Sequence, residues 1–181
     1  MPFTLFHFGV GLGLGLPVRR RLHAPTFILA NVIIDVEPLL VFSLGLRHPL
    51  HGYLHTFLLA LPMGLAFGYI MHFLERFLNS LYKMFLLEVD DDLSLRSFII
   101  AGVSGTELHV LLDAPLYDDM KPLYPIATNP FYNPSIMLEV YSLCFWMGVF
   151  GAVYYLALLS LSIHRKQSKR KCVQEYSTDN D

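Results

Sequence analysis

Residues 54–74 read LHTFLLALPMGLAFGYIMHFL, an apolar run without a single Lys, Arg, Asp or Glu. A helix needs about 20 such residues to cross the hydrocarbon core of a bilayer, with a range of about 17–25. Hydrophobic residues make up 54% of the chain and charged residues only 15%, and the mean hydropathy is +0.48. The sequence therefore predicts an all-α, polytopic integral membrane helical bundle with about five hydrophobic helices. Their apolar runs cover residues 3–18, 25–46, 54–74, 98–112 and 136–163.

Two of these runs are short for a complete span. The runs 3–18 and 98–112 each either cross with little tilt, gain flanking residues or re-enter from one side. No Lys or Arg precedes the first run, and Arg19–Arg21 follow it. This order is the reverse of a secretory signal peptide, so a retained helix is expected.

The chain is expected to form a single domain followed by a tail. Residues 1–163 are predicted to be a membrane-embedded helical domain that carries the functional site, and residues 164–181 a disordered cytoplasmic tail that is first basic and then acidic. The two cysteines lie in an apolar run and in this tail, so no disulfide is expected. The net charge of −2 shows no basic excess, and no nucleic-acid partner is expected.

The distribution of Lys and Arg predicts an orientation, because cytoplasmic loops are enriched in them. If Arg19–Arg21 face the cytoplasm, alternation of the runs puts every one of the 13 basic residues there except Arg47 and Lys121. We therefore predict a multi-pass protein of the cell (inner) membrane with its N-terminus outside, its C-terminus cytoplasmic and the lipid bilayer as its main partner.

Ionisable side chains inside apolar runs are costly and usually mark a site or a pathway. Most of those in this chain fall on the predicted extracytoplasmic side, although the orientation came from Lys and Arg alone. We interpret them as one metal site there. The candidate ligands are His7, Asp35, Glu37, His51, His55, His109 and Asp113.

Local spacing supports shared ligation. His109 and Asp113 are four residues apart and share a helix face, as do His51 and His55 if their helix begins by residue 50. Asp35 and Glu37 would diverge on a regular helix. The proline that follows them disfavours helical geometry at Glu37, and the resulting break would turn both carboxylates toward one cavity.

The ligand types restrict the metal and its chemistry. Mixed imidazole and carboxylate groups suit zinc first, with manganese or iron as alternatives, and two cysteines are too few for a thiolate site. Seven candidates exceed the needs of one zinc, so one to three ions are expected. Paired metals activate water for displacement at phosphorus, which favours hydrolysis. Glu37 is then a ligand or general base, and Glu107 a candidate general acid.

Simpler interpretations exist for single residues. A lone histidine in a membrane often hydrogen-bonds to a neighbouring helix, and we accept that for His72. Glu107 and Glu139 can likewise connect helices or relay protons.

Two functions from other classes compete with hydrolysis. Histidines on facing helices can hold a haem for electron transfer, although the interleaved carboxylates disfavour it. Alternatively, the polar groups line an ion or proton pathway without catalysis, but only His72 and Glu139 would continue it toward the cytoplasm.

Four motifs occur in order along the chain: His7, Asp35-Val36-Glu37-Pro38, His51…His55 and His109-Val110-Leu111-Leu112-Asp113. This ordered set resembles the LexA-binding, inner-membrane-associated family of metal-dependent hydrolases. The same order is more distantly similar to zinc-dependent phospholipase C, a helical zinc-cluster enzyme that cleaves phosphoesters. The resemblance implies a phosphoester substrate and metal ligation by the matching positions, and the membrane location alone suggests that the substrate is a lipid.

The chain departs from the family pattern at several positions. Phe6 replaces a threonine, Ile34 a proline and Glu37 an aspartate. The histidine pair is one residue tighter and lacks the family's arginine, for which Arg47 is a candidate substitute. The sequence does not indicate an oligomeric state.

Overall fold

A computed structural model describes residues 4–84 and 94–178, and every regular element within these ranges is helical. This confirms the predicted all-α class. Two short 3₁₀ turns, Tyr53–His55 and Pro134–Ile136, precede the fourth and sixth α-helices. The α-helices are α1 (Thr4–Gly15), α2 (Ala24–Ile33), α3 (Val36–Ser43), α4 (Phe57–Met84), α5 (Leu95–Asp113) and α6 (Met137–Thr178).

Four stretches are long and apolar enough to cross a membrane. With the shorter apolar helix α1, they confirm a membrane bundle of about five hydrophobic helices. The fourth predicted run proves to be longer than expected, because α5 extends to 19 residues. The four stretches are Ala24–Ser43, Phe57–Leu78, Leu95–Asp113 and Pro134–His164.

The start of α4 differs from the prediction. The helix begins at Phe57 rather than by residue 50, and Thr56 occupies its N-terminal boundary in an extended conformation. The Thr56 hydroxyl accepts a hydrogen bond from the backbone N–H of Leu59 at 3.2 Å, as expected of an N-cap. Because His51 and His55 precede the helix, their four-residue spacing does not place them on one helical face.

The tail also differs from the prediction. The structure continues α6 to Thr178, whereas disorder was expected from residue 164 onward. Residues 164–178 contain no Pro or Gly and are rich in Lys, Arg and Gln, which favour a helix. Residues 179–181 lie outside the described part of the chain.

The expected break near Pro38 is confirmed, but it lies slightly earlier. Ile34 and Asp35 separate α2 from α3, and the Glu37 N–H donates to the Ile34 carbonyl at 3.1 Å with the tight three-residue spacing. Pro38 has no N–H with which to form the next helical bond, although it is tolerated in the first turn of α3. The interrupted helix positions Asp35 and Glu37 at one end of the bundle.

The helices pack in a chain of neighbours. The helix α5 packs on α4 and α2, and α1 packs on α2 and α6. At one end of the bundle, Ser97 at the start of α5 donates to the Arg21 carbonyl at 2.8 Å. The opposite end brings together the start of α1, the end of α2, the beginning of α4 and the end of α5.

Three glycines let α4 and α5 approach closely. A Cβ atom added at Gly102 would collide with the carbonyl oxygen of Gly64 and lie 3.1 Å from the Cα of Gly68. Small residues at such crossings permit the backbone contact that stabilises membrane helix pairs. This contact holds α5 in register with the start of α4.

We expect Gly102→Val to lower the thermal midpoint of the purified protein in detergent, because overpacking of this kind costs about 1–3 kcal/mol. The control is Ser104→Ala, since the Ser104 hydroxyl donates to the carbonyls of Ile100 and Ala101 in its own helix. Equal midpoints for the two variants would contradict the close α4–α5 contact.

Candidate metal centre

Four side chains from different parts of the chain converge at the second end of the bundle. Asp35, His55, His109 and Asp113 each offer one ligand atom, and these four atoms all lie within 4.8 Å of one another. Both histidines are fully buried, and Asp113 is 2% exposed. This group is called the cluster below.

The ring of His109 is oriented by a backbone carbonyl. Its Nδ1 lies 2.9 Å from the Asn31 oxygen, which can only accept, so Nδ1–H is the donor. Its Nε2 then lies 3.3 Å from Asp113 Oδ2 and 3.6 Å from Asp35 Oδ1. A neutral imidazole would direct a lone pair at two carboxylates, which is unfavourable unless a proton or a metal cation lies between them.

The ring of His55 is oriented by a carboxylate. Its Nδ1 donates to Glu37 Oε2 at 3.0 Å, and the Leu54 N–H donates to the same oxygen at 3.0 Å. Burial lowers the pKa of His55 below its usual value, although the bond to Glu37 acts in the opposite direction. A carboxylate behind a histidine in this way fixes the tautomer that leaves Nε2 free to bind a metal.

Several atoms of the cluster lack a hydrogen bond of acceptable geometry. Within the described residues, four atoms of the cluster are buried and have no hydrogen-bond partner of acceptable geometry: His55 Nε2, His109 Nε2, Asp35 Oδ2 and Asp113 Oδ1. Buried polar atoms are almost always paired, so four such atoms in one cluster need an explanation. A divalent cation fits, because two imidazole nitrogens bind it and the carboxylates of Asp35 and Asp113 balance its charge.

His7 borders this cluster. Its ring stacks on that of His109 with 4.1 Å between centroids, and its Nε2 lies 3.1 Å from Asp113 Oδ1. The predicted proximity of His7 to the other ligand candidates is therefore observed, and the residue lies at the edge of the four-residue group.

Glu37 and His51, both predicted as ligands, lie close to the cluster but outside its four residues. Glu37 lies behind His55 and accepts a hydrogen bond from its Nδ1, so it orients this ring. His51 Nδ1 lies 2.9 Å from Asp119 Oδ1, and its ring meets that of His55 edge-on at 5.0 Å. Both residues therefore contact His55 rather than contributing one of the four ligand atoms.

Glu107 does not lie with the cluster. The buried face of α5 includes His109 and Asp113, whereas Glu107 is half-exposed on a stripe between the exposed residues Ile100 and Leu111. Two residues of separation turn a side chain by about 200° around a helix. Glu107, the residue predicted as a general acid, therefore faces away from the cluster.

The two residues suggested for an ion pathway are also apart from the cluster. His72 lies edge-on to Phe98, with ring centroids 5.1 Å apart, about 20 Å along α4 from the start of that helix. Glu139 is exposed in the first turn of α6.

Two supporting residues were not predicted. Asn31 is fully buried. Its side-chain NH₂ donates to the His7 carbonyl at 2.6 Å, and its backbone carbonyl orients His109. The available signal was its position, an amide in an apolar run four residues before Asp35. Nothing in the sequence marks Asp119, the partner of His51, apart from its position in a loop.

A cavity of about 150 Å³ adjoins this end of the bundle. His51 and Asp119 line it and connect it to the cluster through the contact between His51 and His55. Lys121 and Tyr124 also line the cavity, whereas Arg47 lies exposed in the loop after α3 and is not part of the lining.

Comparisons of this chain with protein-family models, with curated proteins and with solved structures find no match.

Proposed function

We propose that this chain is a membrane-bound, divalent-metal-dependent hydrolase of phosphoesters. The observation that carries the proposal is the set of buried orphan atoms on His55, His109 and Asp35, which converge as metal ligands do. The order of the motifs around these residues, which resembles metal-dependent hydrolases, adds the reaction class.

One ion is the number that this arrangement supports. Two imidazoles and two carboxylates suit zinc, manganese or iron, and zinc is our first choice. Of the seven ligands predicted from the sequence, Glu37 and His51 hydrogen-bond to other residues, which removes the surplus that favoured two or three ions. His7 lies at the edge of the cluster, with its Nε2 3.1 Å from Asp113 Oδ1.

A bound divalent metal supplies a water of lowered pKa and polarises a phosphoryl oxygen. Around it, Glu37 and Asn31 hold His55 and His109 in the tautomers that face inward. Asp119 orients His51 at the wall of the adjoining cavity. We assign to His51 the acid–base role for which Glu107 is wrongly placed.

The adjoining cavity has one acidic and one basic lining residue, Asp119 and Lys121, and Asp119 pairs with His51. Lys121 places a positive charge on its wall, and Lys121 and Arg47 are the only basic residues of the chain that the sequence assigns to the extracytoplasmic side. An ammonium group there would attract a phosphate and partly neutralise it.

The same proposal places the centre on the outer side of the cell (inner) membrane. The Lys and Arg bias supports this orientation. Arg21, one of the basic residues assigned to the cytoplasm, contacts Ser97 at the end of the bundle opposite the cluster, and this supports the same orientation.

The test is hydrolysis of bis(p-nitrophenyl) phosphate by detergent-purified protein. We expect activity that a chelator removes and zinc or manganese restores. Asp35→Asn should lower it at least about 100-fold, because metal activation of water contributes several kcal/mol. Glu107→Gln is the control and should retain activity. Activity that survives chelation, or that Asp35→Asn leaves unchanged, would contradict the proposal.

A further inference from the structure

A lateral groove lies between α1 and α6 on the surface of the bundle. Its volume is about 520 Å³, within the range of roughly 300–1,000 Å³ that is typical of ligand pockets. Phe6 and Gly9 of α1 form one side. The α6 side is lined by Cys144, Phe145, Gly148, Val149 and Ala152.

The floor of the groove exists because two glycines meet there. A Cβ atom on Gly9 would lie 3.1 Å from the Cα of Gly148, so the two backbones touch where the side chains are missing. Neither Gly9 nor Gly148 fills the space above this contact. From Cys144 to Ala152 the depression extends for about 12 Å along α6.

The groove faces hydrocarbon rather than water. Its α6 wall lies within the stretch Pro134–His164, which is apolar enough to span a membrane. None of its lining residues carries a charge, and the neighbouring side chains of Trp146 and Val153 are 64% and 60% exposed. The medium that meets this surface in a bilayer is lipid chains.

The end of the groove at Phe6 and Cys144 lies close to the cluster. A pocket of about 10 Å³, lined by His7, Leu116 and Tyr141, shares Phe6 and Cys144 with the groove. His7 in turn contacts Asp113 of the cluster. The Phe6 and Tyr141 rings, with 5.6 Å between centroids, lie over the seam between the two spaces.

We propose that the groove holds a hydrocarbon chain of the substrate, so that the substrate is a lipid phosphoester that enters sideways from the bilayer. This inference rests on the proposed function and names its substrate class. The chain of the lipid lies along α6 between Cys144 and Ala152, and the Phe6 and Tyr141 rings move apart to let its phosphoester reach the cluster.

The experiment fills the groove without touching the cluster. Ala152→Phe and Val149→Phe each place a larger side chain in the depression, and Val153→Phe places the same ring on the exposed face of α6 beside it. Metal content and the thermal midpoint are measured for each variant, and a groove variant that loses either is replaced in the comparison by the other one.

We expect both groove variants to lower the hydrolysis of dioleoylphosphatidylglycerol at least tenfold, while hydrolysis of soluble bis(p-nitrophenyl) phosphate stays within twofold of the wild type. Val153→Phe should leave both activities unchanged. If lipid hydrolysis by the groove variants equals that of Val153→Phe, the groove does not hold the substrate chain and the inference is overturned.

A second readout separates this inference from the proposed function. Phosphatidylglycerol with a photoreactive diazirine in its acyl chain should label α6 between Cys144 and Ala152, and Ala152→Phe should suppress the labelling. If the wild type hydrolyses neither substrate, the proposed function fails and no lipid substrate exists. Labelling that then persists would identify the groove as a lipid-binding site only, and that result too would overturn the inference as stated.

Discussion

Asp113→Asn is expected to remove high-affinity binding of divalent metal, whereas Glu107→Gln should leave it intact. Both changes convert a carboxylate to an amide on α5, six residues apart. Asp113 is buried, with one oxygen 3.1 Å from His7 Nε2 and the other 3.3 Å from His109 Nε2. Glu107 lies on the other face of the helix. The pair therefore separates the loss of a ligand from the loss of a negative charge in the same helix.

The loss should exceed the 10–100-fold that follows removal of a residue merely supporting a ligand. Affinity for Zn²⁺ and Mn²⁺ can be measured by calorimetry on metal-depleted protein in detergent, with His109→Ala as a second ligand variant. Equal affinities for Asp113→Asn and Glu107→Gln would refute the assignment of Asp113 to the centre.

Glu37→Gln should weaken metal binding by about 10–100-fold without abolishing it. The amide can still accept a hydrogen bond from His55 Nδ1, but it lacks the negative charge that strengthens this bond and makes the imidazole a better ligand. The amide can also rotate to direct its NH₂ group at the ring, which would select the wrong tautomer.

Asp119→Asn is the matched control for this second prediction. It makes the same change beside His51, which pairs with Asp119 and lies outside the cluster. We expect its metal affinity to match that of the wild type and its phosphoesterase activity to fall. If Glu37→Gln binds metal as tightly as Asp119→Asn does, Glu37 does not position a ligand.

The fold was largely predictable because the bilayer imposes a simple length rule. Residues 54–74 and 136–163 have the composition of spanning helices, and α4 and α6 contain all but the first residues of these runs. The helix boundaries depended on local chemistry instead. Thr56 caps α4, so this helix begins later than the spacing of His51 and His55 implied. The helix-favouring residues after residue 163 continue α6.

The residues near the centre could be predicted from the sequence, but the arrangement of their atoms could not. His109 and Asp113 share a helix, so their four-residue spacing determined that they meet. Glu37 and His51 were assigned by residue type, which cannot distinguish a ligand from the residue that orients a ligand. That distinction depends on which atoms are in contact. Glu37, for example, accepts a hydrogen bond from Nδ1 of His55 and so orients the ring.

Glu107 illustrates a further limit. Position in an apolar run suggested function, but only the packing of α5 on α2 and α4 shows which face of the helix meets the other ligands. Asn31 is the converse case, because a neutral amide attracts less attention than an acid, although its side chain donates to the His7 carbonyl and its backbone carbonyl orients His109.

The most direct measurement is the metal content of the wild-type protein, purified in detergent without chelator and analysed by elemental mass spectrometry. The account predicts one zinc, manganese or iron ion per chain, with two imidazole nitrogens and carboxylate oxygens in its X-ray absorption spectrum. Protein that holds no such ion, even after incubation with Zn²⁺ or Mn²⁺, would show that the buried histidines and aspartates are stabilised by protons alone.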